Sequence, residues 1–253
     1  MQRELDAALS ALGLSGAVRG KRLGVSLMDV SDPARPHYAG TNDHEMMYAA
    51  SLPKIAILLA GFERIREGLL SYTPSVREMF TRLARFSSNA DASRAIHTIG
   101  FEYIAKTLQK YGLYDVRENG GLWLGKAYGG PNDYWKRDPL HNLSHGATAA
   151  QVARFFWLMD QGRLVNERFS AEIKQILSNP GIHHKFVKGL DGIPNRRIYR
   201  KSGTWRNWHA DGALIEAGDK KYIAVALMED PRGGEALPRL IREMDRIVAG
   251  PAI

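Results

Sequence analysis

Apolar and polar positions follow two kinds of rhythm along this chain. Near the N-terminus Leu5, Leu9 and Leu12 recur at helical spacing and Gly13 and Gly16 stop the run, so residues 2–13 read as an amphipathic helix. Lys21 to Val30 alternates as a strand does, and Ser31-Asp32-Pro33 turns the chain after it. Pro36 to Tyr48 has room for a second strand, with Gly40-Thr41-Asn42-Asp43 as a turn inside it. Ser51 then opens a strongly apolar helix to about Arg66, with Pro53 in its first turn, where a missing N–H costs nothing. Residues 74–112 read as mostly helical. Residues 113–146 do not: they are rich in Gly, Tyr, Trp, Asn, Asp and Pro, and form a long irregular loop of the kind that carries function.

Helical periodicity returns over Thr148 to Gly162 and over 167–177. Arg197 to Thr204, Ala213 to Ala217 and Tyr222 to Met228 read as strands, with a hairpin turn at Gly218-Asp219. Residues 234–248 form a last amphipathic helix with Leu237, Leu240, Ile241, Met244 and Ile247 inward. The order predicts an α/β (α+β) fold in which an antiparallel sheet, built from both chain ends and flanked by helices, sits beside an inserted helical lobe. We expect one domain over 1–253, its sheet lobe at about 1–50 and 190–253 and its helical lobe at about 51–189.

Composition narrows the chemistry. The 253 residues are 44% hydrophobic and 25% charged, as in ordinary folded proteins. The absence of cysteine excludes disulfides, cysteine zinc sites and thiol nucleophiles. The longest apolar run, Ile55 to Ala60, is too short to span a bilayer. The start, Met1-Gln2-Arg3-Glu4-Leu5-Asp6, shows no signal peptide. A periplasmic or secreted location is expected if a signal was removed, and a cytoplasmic one otherwise. The net charge of +8 and pI of about 9.7 fit a soluble basic enzyme, or one that attracts an anionic partner. Lys and Arg are dispersed, with no stacking motif, which argues against nucleic acid. A monomer acting on a small molecule, with neither metal nor cofactor, is the expectation. His183-His184 do not share a face and lack companion acids for a metal.

Three short segments carry candidate chemistry. In Ser51-Leu52-Pro53-Lys54 a weak hydroxyl nucleophile has an amine base one helical turn away, and the helix N-terminus offers N–H groups to a developing oxyanion. About one S-x-x-K arises by chance in a chain this long, and the plain alternative is a capping Ser with a surface Lys. Against that, Lys54 runs straight into the apolar stretch from Ile55, where a buried amine needs partners or a depressed pKa. In Ser87-Ser88-Asn89 a second serine can relay a proton and an Asn can hold an amide; a helix N-cap is the alternative. In Lys201-Ser202-Gly203-Thr204 a strand glycine allows close approach of a substrate backbone. His145 and His209 raise a Ser-His-Asp alternative, but no G-x-S-x-G elbow is present.

In this order the three segments resemble the S-x-x-K, S-D-N and K-T-G set of class A β-lactamases and penicillin-binding proteins. The resemblance implies a β-lactamase/transpeptidase-like fold and a serine hydrolase working through an acyl-enzyme. The expected substrate is a β-lactam, peptide or ester with a carboxylate. A D-Ala-D-Ala carboxypeptidase-like peptidase or esterase/amidase is the alternative within the mechanism. A non-catalytic protein that is acylated without turnover is the alternative outside it. By resemblance, Ser51 is the nucleophile, Lys54 its proton acceptor and Ser87 the shuttle to the leaving atom. Asn89 would bind the acylamide. Lys201 would supply positive potential, Ser202 and Thr204 hydroxyls for the carboxylate, and the N–H groups of Ser51 and Thr204 the oxyanion hole. Gly203 would let substrate approach, and Arg206 would clamp a carboxylate bidentately.

The pattern also departs from the family. Ser88 stands where the second motif has Asp, and Ser202 where the third has Thr. The stretch from Lys54 to Ser87 is short, which predicts a more open cleft. Class A enzymes hold a deacylating Glu in the long loop; between Gly120 and Gly146 this chain has only Asp133 and Asp138 as acids. Asp133 is the candidate for deacylation, with a solvated turn as its plainer reading.

Overall fold

The computed structural model describes residues 1–130 and 132–250. Among these, a five-stranded antiparallel sheet runs in the order His37–Thr41, Leu23–Asp29, Lys220–Glu229, Trp208–Ala217, Arg196–Trp205. Both chain ends therefore build one sheet, as the order of elements predicts. Side-chain alternation divides its faces. Tyr222, Ala224, Ala226 and Met228 join Leu23, Val25 and Leu27 in a core under the Gln2–Ala11 and Gly233–Ala249 helices, sealed by Leu5, Leu9, Leu237, Leu240, Ile241 and Met244. Ile223, Val225 and Leu227 face the other way, into a larger core with the Lys54–Arg66 and Ala149–Asp160 helices. Ile247, expected inward, is only partly buried.

Several boundaries differ from the sequence reading, each for a local reason. The helix expected from Ser51 begins at Lys54, because Ser51-Leu52-Pro53 close a tighter turn: the Lys54 and Ile55 amides donate to the Ser51 and Leu52 carbonyls, both at 3.3 Å. Residues 36–48 hold not one strand but two, in different sheets. His37–Thr41 is an edge of the large sheet, and Met47–Tyr48 pairs with His145–Ala147. The helical block at 74–112 resolves into Pro74–Arg85, Asn89–Ile99 and Phe101–Lys110.

The long loop is tied down by short ladders, Tyr114–Asp115 with Gly120–Gly121 and Trp123–Leu124 with His145–Ala147. The strand expected from Ala213 starts at Trp208, after a two-residue turn at Arg206-Asn207 closed by the pair Trp205 and Trp208. The short helix Phe186–Leu190 has no counterpart in the sequence reading. No helix among the described residues is long and apolar enough to cross a membrane.

Candidate active site

The Met47–Tyr48 strand delivers the chain to Ser51 through a constrained elbow. The Ala49 amide donates to the His145 carbonyl at 2.9 Å, and Ala50 then takes φ +50°, a left-handed conformation that costs a non-glycine residue on the order of 1 kcal/mol or more. That bend presents Ser51, half-buried, at the floor of a cleft just before the Lys54–Arg66 helix.

Lys54 is wholly buried. Its Nζ donates to the Ser87 carbonyl at 2.6 Å and to Asn89 Oδ1 at 2.8 Å, with Ser87 Oγ and the Ser88 carbonyl farther off at 3.4 Å. Its ammonium also lies 4.3 Å from the centre of the Tyr128 ring. Burial disfavours the charged form and pulls its pKa down to about 7. In the neutral amine the two N–H bonds go to the two short acceptors, and the lone pair is left for a hydroxyl proton.

Ser87 sits at φ +56° between the Pro74–Arg85 and Asn89–Ile99 helices, which turns both its carbonyl and its hydroxyl toward Lys54. Ser88 is the N-cap that accepts from the Asp91 amide at 3.2 Å, so the capping role read as an alternative falls to Ser88 and leaves Ser87 free. From the other side Lys201 Nζ reaches Ser87 Oγ at 2.9 Å and the Ser202 carbonyl at 2.7 Å. Burial first, and then the nearby charge of Lys54, hold the Lys201 pKa well below the usual lysine range. Ser87 Oγ thus stands between two amines whose protons are easily given up.

Gly203 explains itself by contact. A Cβ there would lie 2.1 Å from the Ala49 carbonyl oxygen and 2.7 Å from the Ser51 amide nitrogen, so the strand backbone rests directly on the turn that carries Ser51. Lys201 and Gly203 face the helical side of the sheet, and Arg200, Ser202 and Thr204 the other. On that other side Arg200 and Asp211 form a buried bidentate ion pair at 2.7 and 2.8 Å. Ser202 Oγ shares a hydrogen bond of 3.2 Å with His184 Nε2. Ser202, read as a carboxylate ligand, is therefore buried and turned to His184, and does not line the cleft.

Thr204 does line the cleft, and its Oγ1 accepts from Lys185 Nζ at 2.8 Å. Lys185, which sequence reasoning missed, is buried and also donates to the Gly203 carbonyl at 2.5 Å; burial brings its pKa down to about 8. Nothing in its sequence neighbourhood marks a lysine for burial.

The cleft has a volume of about 690 Å³. Ser51, Asn89 and Thr204 line it with Tyr48, Lys126, Tyr128, Tyr134, Arg137, Ser144, His145, Trp205, Arg206 and Trp208. Tyr128 was the other residue missed: its hydroxyl donates to the Ala50 carbonyl at 3.1 Å, and its amide donates to Ser93 Oγ at 2.9 Å, which clips the long loop to the Asn89–Ile99 helix. His145 does not serve Ser51. Its Nε2 donates to the Lys126 carbonyl at 3.0 Å, its Nδ1 faces Ser144 Oγ at 3.1 Å, and burial lowers its pKa to about 4. His209 is partly buried, its ring packed against Gly233 and Gly234. Neither histidine builds the Ser-His-Asp alternative.

Asp133 corrects the sequence reading most clearly. Its carboxylate pairs with His97 Nε2 at 2.9 Å, and it is not among the cleft residues. Asp138 is buried, held by the Tyr114 hydroxyl and the His141 amide. No carboxylate lines the cleft among the described residues. Those residues also contain no cluster of acids and histidines able to hold a metal.

The family model described as "Beta-lactamase enzyme family" matches residues 4–78 and 72–249. Among solved structures, a beta-lactamase from Sphaerobacter thermophilus is 15% identical with a TM-score of 0.75, over 98% of this chain and 97% of its own. A class A beta-lactamase from Mycobacterium abscessus is 18% identical with a TM-score of 0.73, over 97% of this chain and 98% of its own. A mutant of PBP-A, solved as an acyl-enzyme complex with penicillin G, is 15% identical with a TM-score of 0.73, over 98% of this chain and 96% of its own. At such identities the shared property is the fold. No curated protein sequence matches.

Proposed function

The chain belongs to the beta-lactamase enzyme family, and we propose that within it the protein is a hydrolase acylated on Ser51 by β-lactams or by amides and esters of similar shape. The observation that carries this reading is Lys54: a buried amine near neutrality, one turn from Ser51, beside a serine that a second buried amine holds from behind. The PBP-A mutant captured with penicillin G offers a precedent for such an adduct on this fold.

Ser51 Oγ attacks the carbonyl carbon while its proton passes to neutral Lys54. The oxyanion is met by the amides of Ser51 and Thr204, with Gly203 setting their approach. The proton then moves from Lys54 to Ser87 Oγ, whose own proton goes to the leaving nitrogen or oxygen as the C–N or C–O bond breaks. Asn89 Nδ2, free because Oδ1 is taken by Lys54, holds the substrate amide. In this reading Lys201, at Ser87, and Thr204, in the cleft lining, would meet the substrate carboxylate. Water then cleaves the Ser51 ester. With no carboxylate among the described residues that line the cleft, Lys54 is the base proposed for that step.

A β-lactam keeps its leaving amine tethered in the cleft and should deacylate slowly, whereas a linear peptide or ester releases its leaving group and admits water. The same observation supports a second reading, a β-lactam or cell-wall-fragment binding protein that is acylated without turnover. A panel of chromogenic β-lactams, D-Ala-D-Ala peptides and short-chain esters tests both. Multiple turnovers lost in Ser51→Ala support the hydrolase, and a stoichiometric burst without turnover supports the binding protein. A fluorophosphonate label retained in Ser51→Ala would contradict both.

A further inference from the structure

The lining of the cleft is rich in cations. Lys126 and Arg137 come from the long loop, and Arg206 from the hairpin tip; all of them line the cleft. Outside the cleft some guanidinium groups pair with carboxylates, as in Arg66–Glu63, Arg77–Glu172, Arg82–Asp91 and Arg196–Asp245, and others, such as Arg64 and Arg85, donate to backbone carbonyls. Among the described residues, Lys126, Arg137 and Arg206 pair with no carboxylate. They rest on aromatic rings instead. Lys126 Nζ lies 4.4 Å from the Tyr134 ring centre and 3.3 Å from its hydroxyl, Arg137 5.7 Å from the same ring, and Arg206 5.7 Å from the Trp205 ring. Arg137 also donates to the Asn142 carbonyl at 3.0 Å. Their field is felt by their neighbour: the bond from Lys126 and the charges of Lys126 and Arg137 lower the Tyr134 pKa.

Lys201 and Arg206 are set apart along the sheet edge. Lys201 stands at Ser87, and Arg206 lies five residues on, beyond the end of an extended strand. At about 3.3 Å per residue the two backbones are on the order of 16 Å apart. Arg206, read from sequence as the clamp for the substrate carboxylate, lines the cleft from the hairpin turn, farther along it than Lys201.

We propose that the acyl portion of the substrate carries a second anionic group, a carboxylate, seated between Lys126, Arg137 and Arg206. The inference rests on the Ser51 reading, because Ser51 fixes which part of the substrate is the acyl side. Aromatic faces at Tyr134 and Trp205 suit an acyl group that also carries a ring.

The test is a matched pair, benzylpenicillin and α-carboxybenzylpenicillin, which differ by that carboxylate alone. The rate of Ser51 acylation is followed for each by intact mass. The wild-type protein should prefer the carboxylated compound by about tenfold, the scale of one hydrogen bond to a charged group. The preference should fall toward one in Lys126→Met and in Arg137→Met, return in Lys126→Arg, and shrink as salt is raised. Equal rates in the wild type, or a preference that survives both methionine variants, overturn the inference and leave the Ser51 reading standing. If neither penicillin acylates Ser51, the Ser51 reading fails instead. Calorimetry of phenylmalonate against phenylacetate on Ser51→Ala then decides the subsite. Tighter phenylmalonate binding that weakens on adding Arg137→Met sustains it, and equal affinities overturn it.

Discussion

If Lys54 is the base for Ser51, it should set the pH dependence of acylation. The form that accepts a proton is the neutral amine, whose fraction rises as pH passes about 7. Acylation should therefore accelerate from pH 5 to 8 with a midpoint of about 7, and Lys54→Met should slow it by about a hundredfold or more and flatten the profile. Stopped-flow rates with a chromogenic β-lactam check both; a rate in Lys54→Met within a factor of about three of wild type would remove Lys54 from the mechanism. Stability should carry the same signature. The folded chain holds Lys54 at about 7 against 10.5 when unfolded, so the unfolded state binds more protons between these values and this group adds stability as pH rises through that window. The slope of Tm against pH there should be shallower in Lys54→Met than in wild type.

At the scale of elements, the Arg196–Trp205 strand is held to the Ser51 turn on one face and to a polar layer on the other. A Cβ at Gly203 meets backbone atoms that cannot swing aside. Gly203→Ala should cut the acylation rate by about a hundredfold, the scale of one lost oxyanion donor, with far-UV circular dichroism unchanged; wild-type acylation would mean that the strand and the turn part easily. Behind the strand, Asp211→Asn strands a buried Arg200 guanidinium. The cost of about 3–5 kcal/mol corresponds to a fall in Tm on the order of 10 °C. Thermal unfolding measures it, and a fall under about 2 °C would mean that the pair is not isolated from water.

The elements legible in the sequence were those with strong periodicity. Leu237, Leu240, Ile241 and Met244 announce the terminal helix, and all are buried where expected. The start of the Trp208–Ala217 strand was hidden because Trp208 to Gly212 mixes aromatic, charged and small residues. Gly212 lies inside that strand, where a Cβ would come within 2.7 Å of Val152 of the Ala149–Asp160 helix. The Phe186–Leu190 helix is too short to show a period.

Over the whole molecule, the structure brings together motifs that lie up to a hundred and more residues apart. Ser51, Lys54, Ser87, Asn89, Lys201 and Thr204 were legible because their spacing follows a known order, and the sheet and helices converge them as that order implies. Tyr128 and Lys185 were not, since their importance lies in contacts with Ala50, Lys54, Gly203 and Thr204 that no local pattern encodes. Asp133 was misread because its partner, His97, comes from a helix whose position against the loop only folding sets.

The outcome is a cleft with cations and aromatics but no acid among its described lining residues, so acylation should outrun deacylation. One measurement tests this most directly: a time course of intact mass after mixing with excess benzylpenicillin, with peptide mapping of the adduct. The account predicts one equivalent bound at Ser51, absent from Ser51→Ala, forming faster than it decays. No adduct at any time alongside rapid hydrolysis of the penicillin, or an adduct mapped to another residue, would contradict it.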